Sequence, residues 1–272
     1  MRLFQVESIT EDIFRIKMPY VCVYVFEGRD RALVLDTGWG YGDLKSVIDS
    51  VTTKPYDVII SHAHSDHYGG ASQFNEVYMS LPDKNGYLNR LKNDIRPRIM
   101  RNALKKDNFP VHNPLFVDPI PKAIKYYSNG HIFDLGGLSL QALHLPGHTL
   151  GEMVFLIPER RLLFTGDACT DNTMIYFDHS APLSAFRESL LNILKIKEQY
   201  DTVLLSHAPY QIDKEIVDSN YYWVEEILAN RDDQLIIGDN DGQPIYTARD
   251  RRKSYPPLQS LGNIRYSQNL KY

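Results

Sequence analysis

The stretch that decides the fold is SHAHSDHYGG, residues 61–70. It follows DVII (57–60), a run of apolar and β-branched residues that is typical of a buried strand. Burying several imidazole rings and a carboxylate together without a cation would cost roughly several kcal/mol, because each group loses its water. The stretch therefore predicts a metal site at the end of a strand, with these residues as ligands: His62, His64, Asp66 and His67.

Three more candidate ligands each follow a predicted strand farther along the chain. His148 lies in PGHT after LQALHL, Asp167 lies in FTGDAC, and His207 ends TVLLSH. Two divalent ions held close together need about seven protein ligands plus water, with one carboxylate able to bridge them. The chain supplies seven, which we assign as His62, His64 and His148 for one ion, Asp66, His67 and His207 for the other, and Asp167 between them.

The ligand types favour zinc. The only two cysteines, Cys22 and Cys169, have no partner at CxxC spacing, so the ligands are nitrogen and oxygen atoms. Such a set suits two Zn²⁺ ions first, and the same residues also serve iron or manganese. Cys169 is interpreted as a small buried apolar residue, the alternative being a side chain that faces the metals. Taken singly, the other histidines are interpreted as hydrogen-bonded structural residues: His112, His131, His144 and His179.

Composition and charge exclude several classes of protein. With 272 residues, of which 43% are hydrophobic and 24% charged, the chain has the composition of a folded globular protein. A formal charge of −4 argues against a surface that coats duplex nucleic acid, so a nucleic-acid partner is not expected. No apolar run reaches the length of a membrane span and no leader pattern precedes the first strand, which predicts a cytoplasmic location and no membrane partner.

The order of elements predicts an α/β fold. Short strands, a helix in DLKSVIDSV (43–51) and a strand form a first half, and strands between His131 and Gly166 followed by a helix from Pro182 and a strand form a second. Two similar halves indicate two sheets packed face to face with helices outside, a four-layer αββα sandwich. We predict one domain over residues 1–272, a cover helix over 213–230, and a tail over about 234–272 that wraps the surface as loop plus an edge strand.

A basic insert interrupts this pattern over about residues 83–130. Between Lys84 and Lys106 there are eight lysines or arginines against one acid, Asp94. Two interpretations are open. Arg96, Arg98 and Arg101 overhang the metal site and attract an anionic substrate, or they form a solvated helix face, as charge runs usually do.

Five motifs in sequence order carry a family resemblance: DTG (36–38), SHAHSDHYGG, PGHT (146–149), TGD (165–167) and SH (206–207). Over about residues 12–210 the chain resembles the metallo-β-lactamase-fold hydrolases. The resemblance implies the αββα sandwich, metals at one sheet edge and the same seven ligands. It also implies that Asp36 supports the metal histidines through hydrogen bonds, the alternative being a simple turn aspartate.

Details of the motifs indicate which branch of the metallo-β-lactamase-fold hydrolases the chain resembles. Asp167 as a bridging carboxylate is similar to the glyoxalase II, lactonase and phosphodiesterase branches, whereas class B1 β-lactamases place a cysteine among the ligands. Acyl-homoserine lactonases carry a tyrosine three residues after that aspartate, and this chain has Thr170. The helical C-terminal domain with a basic glutathione site that glyoxalase II adds has no counterpart after His207, which weakens a thioesterase assignment.

The site predicts a hydrolase. Two cations lower the pKa of a shared water toward about 7, and Asp66 orients that water and carries its proton to the leaving group. The leading substrate is a small ester, lactone or thioester, with an anionic one favoured by the basic insert. The alternatives are a phosphodiesterase acting on nucleotides or short RNA, and an iron-dependent oxidoreductase of the same fold. Three tyrosines next to the metal motifs are candidates to line the substrate pocket, although Tyr68 is equally open to a packing role: Tyr68, Tyr176 and Tyr210.

Overall fold

The structure is a computed structural model that describes residues 3–92, 94–98 and 116–272. The chain divides into two compact units. Unit 1 comprises Met1–Gln141 together with Ser206–Ala208, and unit 2 comprises Ala142–Leu205 together with Pro209–Tyr272.

Unit 1 is built on a seven-stranded sheet whose strands lie in chain order. The strands are β1 (Gln5–Ser8), β2 (Ile13–Lys17), β3 (Cys22–Glu27), β4 (Ala32–Leu35), β5 (Tyr56–Ile59), β6 (Glu76–Ser80) and β7 (Ala123–Tyr127). The first four strands form an antiparallel meander, and each later strand pairs parallel with the one before it. Strand β8 (Ile132–Asp134) pairs antiparallel with the beginning of β9 (Ser139–His144).

Three helices connect these strands. They are α1 (Leu44–Val51), α2 (Ser65–Tyr68) and α3 (Lys84–Leu91). Helix α1 begins where Asp43 Oδ1 accepts a hydrogen bond from Ser46 N at 3.0 Å, and it buries Leu44 and Ile48 one turn apart. The predicted helix over 43–51 is therefore confirmed. These residues join a continuous apolar core with the inner faces of β2 to β6.

Arg96 is a buried structural residue of unit 1, contrary to both interpretations of the basic insert. It is 3% exposed, and its Nη1 donates to the carbonyl oxygens of Trp39 and Gly69 at 3.2 and 2.7 Å. Its Nη2 donates to Val117 O at 3.0 Å, and the Nε and Nη2 groups bind Asp94 at 2.9 Å. A planar guanidinium can reach several carbonyl oxygens at once, which explains its burial. Arg98 is exposed, and Arg101 lies outside the described residues.

We expect Arg96→Met to lower the free energy of unfolding by about 3 kcal/mol, because three carbonyl oxygens lose a charged donor. For a chain of this size the melting temperature then falls by roughly 6–12 °C. The comparison is Arg98→Met, two residues away and exposed, which should change the free energy by about 0.5 kcal/mol or less. Equal melting temperatures for the two variants in a calorimetric scan would contradict the structural role of Arg96.

Unit 2 contains the remaining strands and helices. The strands are the end of β9, β10 (Met153–Ile157), β11 (Leu162–Gly166), β12 (Thr173–Ile175), β13 (Thr202–Leu205), β14 (Gln211–Asp213), β15 (Leu235–Asn240), β16 (Gln243–Thr247) and β17 (Ile264–Tyr266). In one sheet the order is β14-β13-β11-β10-β9, with β13 parallel to β11. The helices are α4 (Leu183–Leu194), α5 (Ile216–Leu228) and α6 (Pro257–Leu261). The predicted cover helix is thus present, and α4 begins one residue after Pro182.

The C-terminal tail departs from the expectation of loop plus an edge strand. Strands β15, β16 and β17 join β12 in a four-stranded sheet of order β12-β17-β16-β15. The last strand, β17, is interior and pairs parallel with β12 through Thr173↔Ile264, Met174↔Arg265 and Ile175↔Tyr266. The tail forms a sheet because Ile264 and Tyr266 insert into the apolar core of unit 2, a burial that the polar composition of the tail hides.

Among the described residues, no helix has both the length and the apolar character needed to cross a membrane.

Candidate metal centre

The loop that carries four predicted ligands is held against the DTG motif at the end of β4. Thr37 donates two hydrogen bonds to the carbonyl oxygen of His67, from its backbone N at 2.7 Å and from Oγ1 at 2.8 Å. Thr37 Oγ1 in turn accepts from Gly70 N at 3.2 Å. A Cβ atom on Gly70 would lie 2.4 Å from Thr37 O, so only glycine permits this contact. Two motifs that are distant in sequence therefore form one rigid loop pair.

Asp36 is the central hydrogen-bond acceptor behind the ligands. Its side chain is 1% exposed, and Oδ1 accepts from Ser61 N at 2.7 Å. Its Oδ2 accepts from Ser61 Oγ at 2.9 Å and lies 2.8 Å from Nδ1 of His67. A carboxylate only accepts, so His67 carries its proton on Nδ1 and presents the Nε2 lone pair. This geometry fits the supporting role that the resemblance implies and not a simple turn aspartate.

We expect Asp36→Asn to weaken metal binding about 10- to 100-fold. Asn has one acceptor oxygen and a donor amide, so it cannot accept all three bonds, whereas the backbone (φ 70°) suits Asn as well as Asp. The measurement is competition with a chromogenic chelator, and the matched control is Asp30→Asn, whose side chain is 61% exposed. An unchanged dissociation constant in Asp36→Asn would show that the carboxylate does not orient the ligand.

The pair His62 and His64 presents two ring nitrogens to one point. The Ser61 hydroxyl proton goes to Asp36, so Ser61 Oγ accepts from His62 Nδ1 at 3.0 Å. His62 therefore has its lone pair on Nε2, which lies 3.1 Å from Nδ1 of His64. Between the two histidines, Ala63 N donates to the buried carboxylate of Asp83 at 2.7 Å, which positions the loop. Two imidazole nitrogens that converge in this way suit a shared cation.

A second group in unit 1 brings together Asp66, His67 and His207. Asp66 Oδ2 lies 3.6 Å from His67 Nε2 and 3.5 Å from His207 Nε2. His207 donates from Nδ1 to the carbonyl oxygen of Tyr20 at 2.6 Å, so its Nε2 also bears the lone pair. The three ligand atoms lie within 4.8 Å of one another, a spacing compatible with one metal ion.

Two residues that hold these histidines have left-handed backbone conformations. Asp36 has φ 70° and Tyr20 has φ 75°. Such a conformation costs roughly 1–3 kcal/mol for a residue other than glycine, and for tyrosine it is uncommon. The Tyr20 ring lies 4.8 Å from the ring of His207, centroid to centroid. Tyr20 thus orients His207 both through its carbonyl oxygen and through its ring.

Unit 2 holds the other two predicted ligands. His148 Nε2 lies 3.6 Å from Asp167 Oδ2, and both residues are buried. His148 donates from Nδ1 to Met174 O at 2.7 Å, and Ser180 Oγ donates to the carbonyl oxygen of His148 at 2.8 Å. This histidine therefore has the same tautomer as His62, His67 and His207.

The donor set fits divalent metal ions. Four histidines donate the Nδ1 proton to an oxygen acceptor and have the lone pair on Nε2, which is the arrangement of metal-ligating histidines with their supporting partners. The ligand atoms are imidazole nitrogens and carboxylate oxygens without thiolate. Among the described residues, Cys169 is buried with Sγ 3.7 Å from Ile216 O, in agreement with the apolar-filler interpretation.

The three candidate pocket tyrosines lie in different environments. Tyr68 is 2% exposed, its ring packs edge-on against Tyr87 at 4.8 Å, and burial raises its pKa to about 12, which favours the packing role. Tyr176 is half-buried beside Phe177, with burial raising its pKa. Tyr210 has φ 68° and accepts a hydrogen bond from Leu205 N at 2.9 Å through its carbonyl oxygen.

Several residues of this centre escaped the sequence analysis. Ser61 and Asp83 carry side chains that hold the ligand loop, whereas Tyr20 and Met174 act through backbone carbonyl oxygens. Of these residues, only Ser61 could have been identified from the sequence, because it directly precedes the predicted ligand His62. Backbone acceptors leave no mark in a sequence, because every residue has a carbonyl oxygen.

Strand-end histidines and aspartates held by such partners define a class of metal-binding α/β proteins. The chain belongs to the Metallo-beta-lactamase superfamily, whose sequence model matches residues 19–207. Among solved structures, a metallo-beta-lactamase from Pontibacter korlensis has a TM-score of 0.58 and 16% sequence identity, covering 82% of this chain and 99% of that one. The predicted family and the α/β, αββα fold class are confirmed.

Curated relatives are named as thioesterases. The Acyl-coenzyme A thioesterase MBLAC2 of Gallus gallus is 23% identical over 193 residues, which are 67% of this chain and 69% of that protein. The Atrochrysone carboxyl ACP thioesterase nsrC of Aspergillus novofumigatus is 29% identical over 148 residues, 53% of this chain and 37% of that protein. This chain thus spans less than half of some relatives it matches. At the level of the family, these findings confirm the prediction of an enzyme.

Proposed function

We propose that this chain is a metal-dependent hydrolase of acyl thioesters. The observation that carries the proposal is the match, over 67% of this chain and 69% of its own length, to a relative named as an acyl-coenzyme A thioesterase. Other relatives are named as thioesterases of a carboxyl ACP substrate, so two differently named groups share the thioester bond. Of the ester, lactone and thioester substrates that the sequence predicts, these names favour the thioester, although the sequence alone weakens that assignment.

The proposed ligands are the seven residues assigned from the sequence: His62, His64, Asp66, His67, His148, Asp167 and His207. The pairings within each unit support the proposal, as do the four matching tautomers. Nitrogen and oxygen ligands favour two zinc ions, with iron or manganese as alternatives. When bound, such ions supply a hydroxide nucleophile near neutral pH and polarise a carbonyl oxygen.

The protein's own groups complete the reaction. The oxygen acceptors on Asp36, Tyr20 and Met174 fix the rings of His67, His207 and His148, so the ligand nitrogens do not need to reorganise. Asp66 lies between the Nε2 atoms of two ligands and keeps a carboxylate oxygen available to accept a proton from the attacking water. Asp66 then returns that proton to the sulfur as the carbon–sulfur bond breaks. The products are a carboxylic acid and a thiol, and no serine or cysteine nucleophile takes part.

A substrate panel tests the proposal. Steady-state rates are measured with an acyl-coenzyme A thioester, a γ-lactone and bis-(p-nitrophenyl) phosphate, each before and after addition of zinc. The thioester should have the largest kcat/KM. Turnover of the phosphodiester alone would instead support the phosphodiesterase alternative, and one iron per chain with oxygen consumption would support the oxidoreductase; either result contradicts the proposed function.

A further inference from the structure

Three arginines line one cavity of unit 2, two of them in the segment after β16 and one on β17. Arg249, Arg251 and Arg265 surround a space of about 320 Å³ beside strands β15, β16 and β17. We refer to these three residues as the arginine cluster. Arg249 and Arg251 also line an adjoining cavity of about 380 Å³, so the two spaces share a basic wall.

The arginine cluster has no carboxylate partner among the described residues, whereas the neighbouring cations do. Arg252 forms a bidentate pair with Asp250 at 2.8 and 2.9 Å, and Lys253 pairs with Asp233. These pairs neutralise the acids beside the first cavity. Asp171, at the rim of the second cavity, is the remaining carboxylate, so the three arginines retain a net positive charge.

Arg249 is held in place by hydrogen bonds, but one of its hydrogen-bond donors, Nε, has no acceptor among the described residues. Its Nη1 donates to Gln259 O at 3.5 Å and to Ser260 O, and its guanidinium lies 5.9 Å from the Tyr255 ring centroid. Within the described residues, its Nε is buried and donates no hydrogen bond. Burial lowers the pKa of Arg249, and the nearby charge of Arg251 lowers it further. Because Arg249 and Arg251 line both cavities with their charges close together, these cavities favour an anion.

The cavity is close in the chain to the ligands that unit 2 contributes. Arg265 pairs across the sheet with Met174, whose carbonyl oxygen accepts the hydrogen bond from His148 Nδ1. Asn172 lines the same cavity and lies five residues after Asp167, so their Cα atoms are at most about 18 Å apart. An extended substrate can therefore reach both places.

We infer that the arginine cluster binds a phosphate group on the thiol-bearing part of the thioester substrate. Guanidinium groups match phosphate oxygens with paired, charge-assisted hydrogen bonds, which a cluster of three provides more than once. Leu235 and Ile237 line the same cavity and offer an apolar wall to the adjoining part of the ligand. The inference rests on the proposed function, because it assigns a phosphate-bearing substrate to the same site.

A binding experiment tests the cluster without catalysis. Titration calorimetry with adenosine 3′,5′-bisphosphate, which has no thiol to bind metal, compares the whole protein with Arg251→Gln and Arg265→Gln. Each variant should raise the dissociation constant about 10-fold, and the affinity of the unaltered protein should fall as salt rises. The matched control is Arg231→Gln, whose side chain is 61% exposed, pairs with Glu226 and lines neither cavity, and it should bind like the unaltered protein. Equal affinity in all four proteins would overturn the inference.

Steady-state kinetics test whether the arginine cluster recognises the phosphate of the substrate or another negatively charged group. Arg251→Gln should raise KM for an acyl-coenzyme A thioester about 10-fold with little change in kcat, and should leave KM for the phosphate-free acyl-pantetheine thioester unchanged. An increase of the same size for both thioesters, or an increase confined to an acyl-pantetheine whose acyl chain ends in a carboxylate, would overturn the assignment. If the unaltered protein cleaves neither thioester, the proposed function fails, and the bisphosphate titration still decides whether the cluster binds phosphate.

Discussion

Replacing Asp66 with alanine is expected to lower kcat/KM for an acyl thioester by about 10²- to 10⁴-fold, the range associated with losing a positioned acid–base group. Asp66 Oδ2 lies 3.5 and 3.6 Å from the Nε2 atoms of His207 and His67. The side chain is 15% exposed and lies in the first turn of the short helix α2, so its removal leaves no cavity in the core. The fold should survive, with a free energy of unfolding within about 1 kcal/mol of the unaltered protein.

The measurements for this variant are steady-state kinetics, circular dichroism and metal content on one preparation. Asp213→Ala is the control, because Asp213 is an exposed aspartate on strand β14. The control should retain full activity. An Asp66→Ala protein that is folded and hydrolyses the thioester at the original rate would exclude Asp66 as both ligand and proton carrier.

Removal of metal is expected to abolish hydrolysis and to lower thermal stability. Binding of an ion to the folded state alone stabilises it by about 4 kcal/mol when the free ion is at 1,000 times its dissociation constant. Without ions, the buried His62 Nε2 and His64 Nδ1 are 3.1 Å apart and can only share a hydrogen bond with each other, so the stabilisation that a bound ion supplies is lost. Activity and melting temperature should both return on addition of zinc, measured after dialysis against a chelator.

Two histidines near the end of β9 give a matched test of the ligand assignment. His148→Ala should reduce the metal content below two ions per chain and abolish hydrolysis. His144→Ala should retain both, because His144 Nε2 lies 2.9 Å from Leu150 O and the sequence predicts a structural role for it. Two ions per chain in His148→Ala, by elemental analysis, would remove His148 from the proposed ligand set.

Local sequence was sufficient to predict most strands and the helix α1, but not the short helix α2 that carries Asp66 and His67. The short strands predicted before the helix over 43–51 correspond to β2, β3 and β4, and the spacing of Leu44 and Ile48 predicted α1. The prediction for the C-terminal tail was wrong in part, since β17 is an interior strand and not an edge strand. Its place depends on pairing with β12, 91 residues earlier, and a pattern of a few residues carries no information about such a distant partner.

The sequence by itself determined the family and the candidate ligands with their order, because metal chemistry restricts which side chains can serve at the end of each strand. Only the tertiary structure decided which ring nitrogen each histidine presents, since that depends on acceptors such as Tyr20 O and Met174 O. It also decided that Arg96 is buried while Arg249 lines a cavity. The sequence alone does not distinguish a buried arginine from one that lines a cavity, because the role of an arginine depends on the oxygen atoms that folding brings within reach of its guanidinium group.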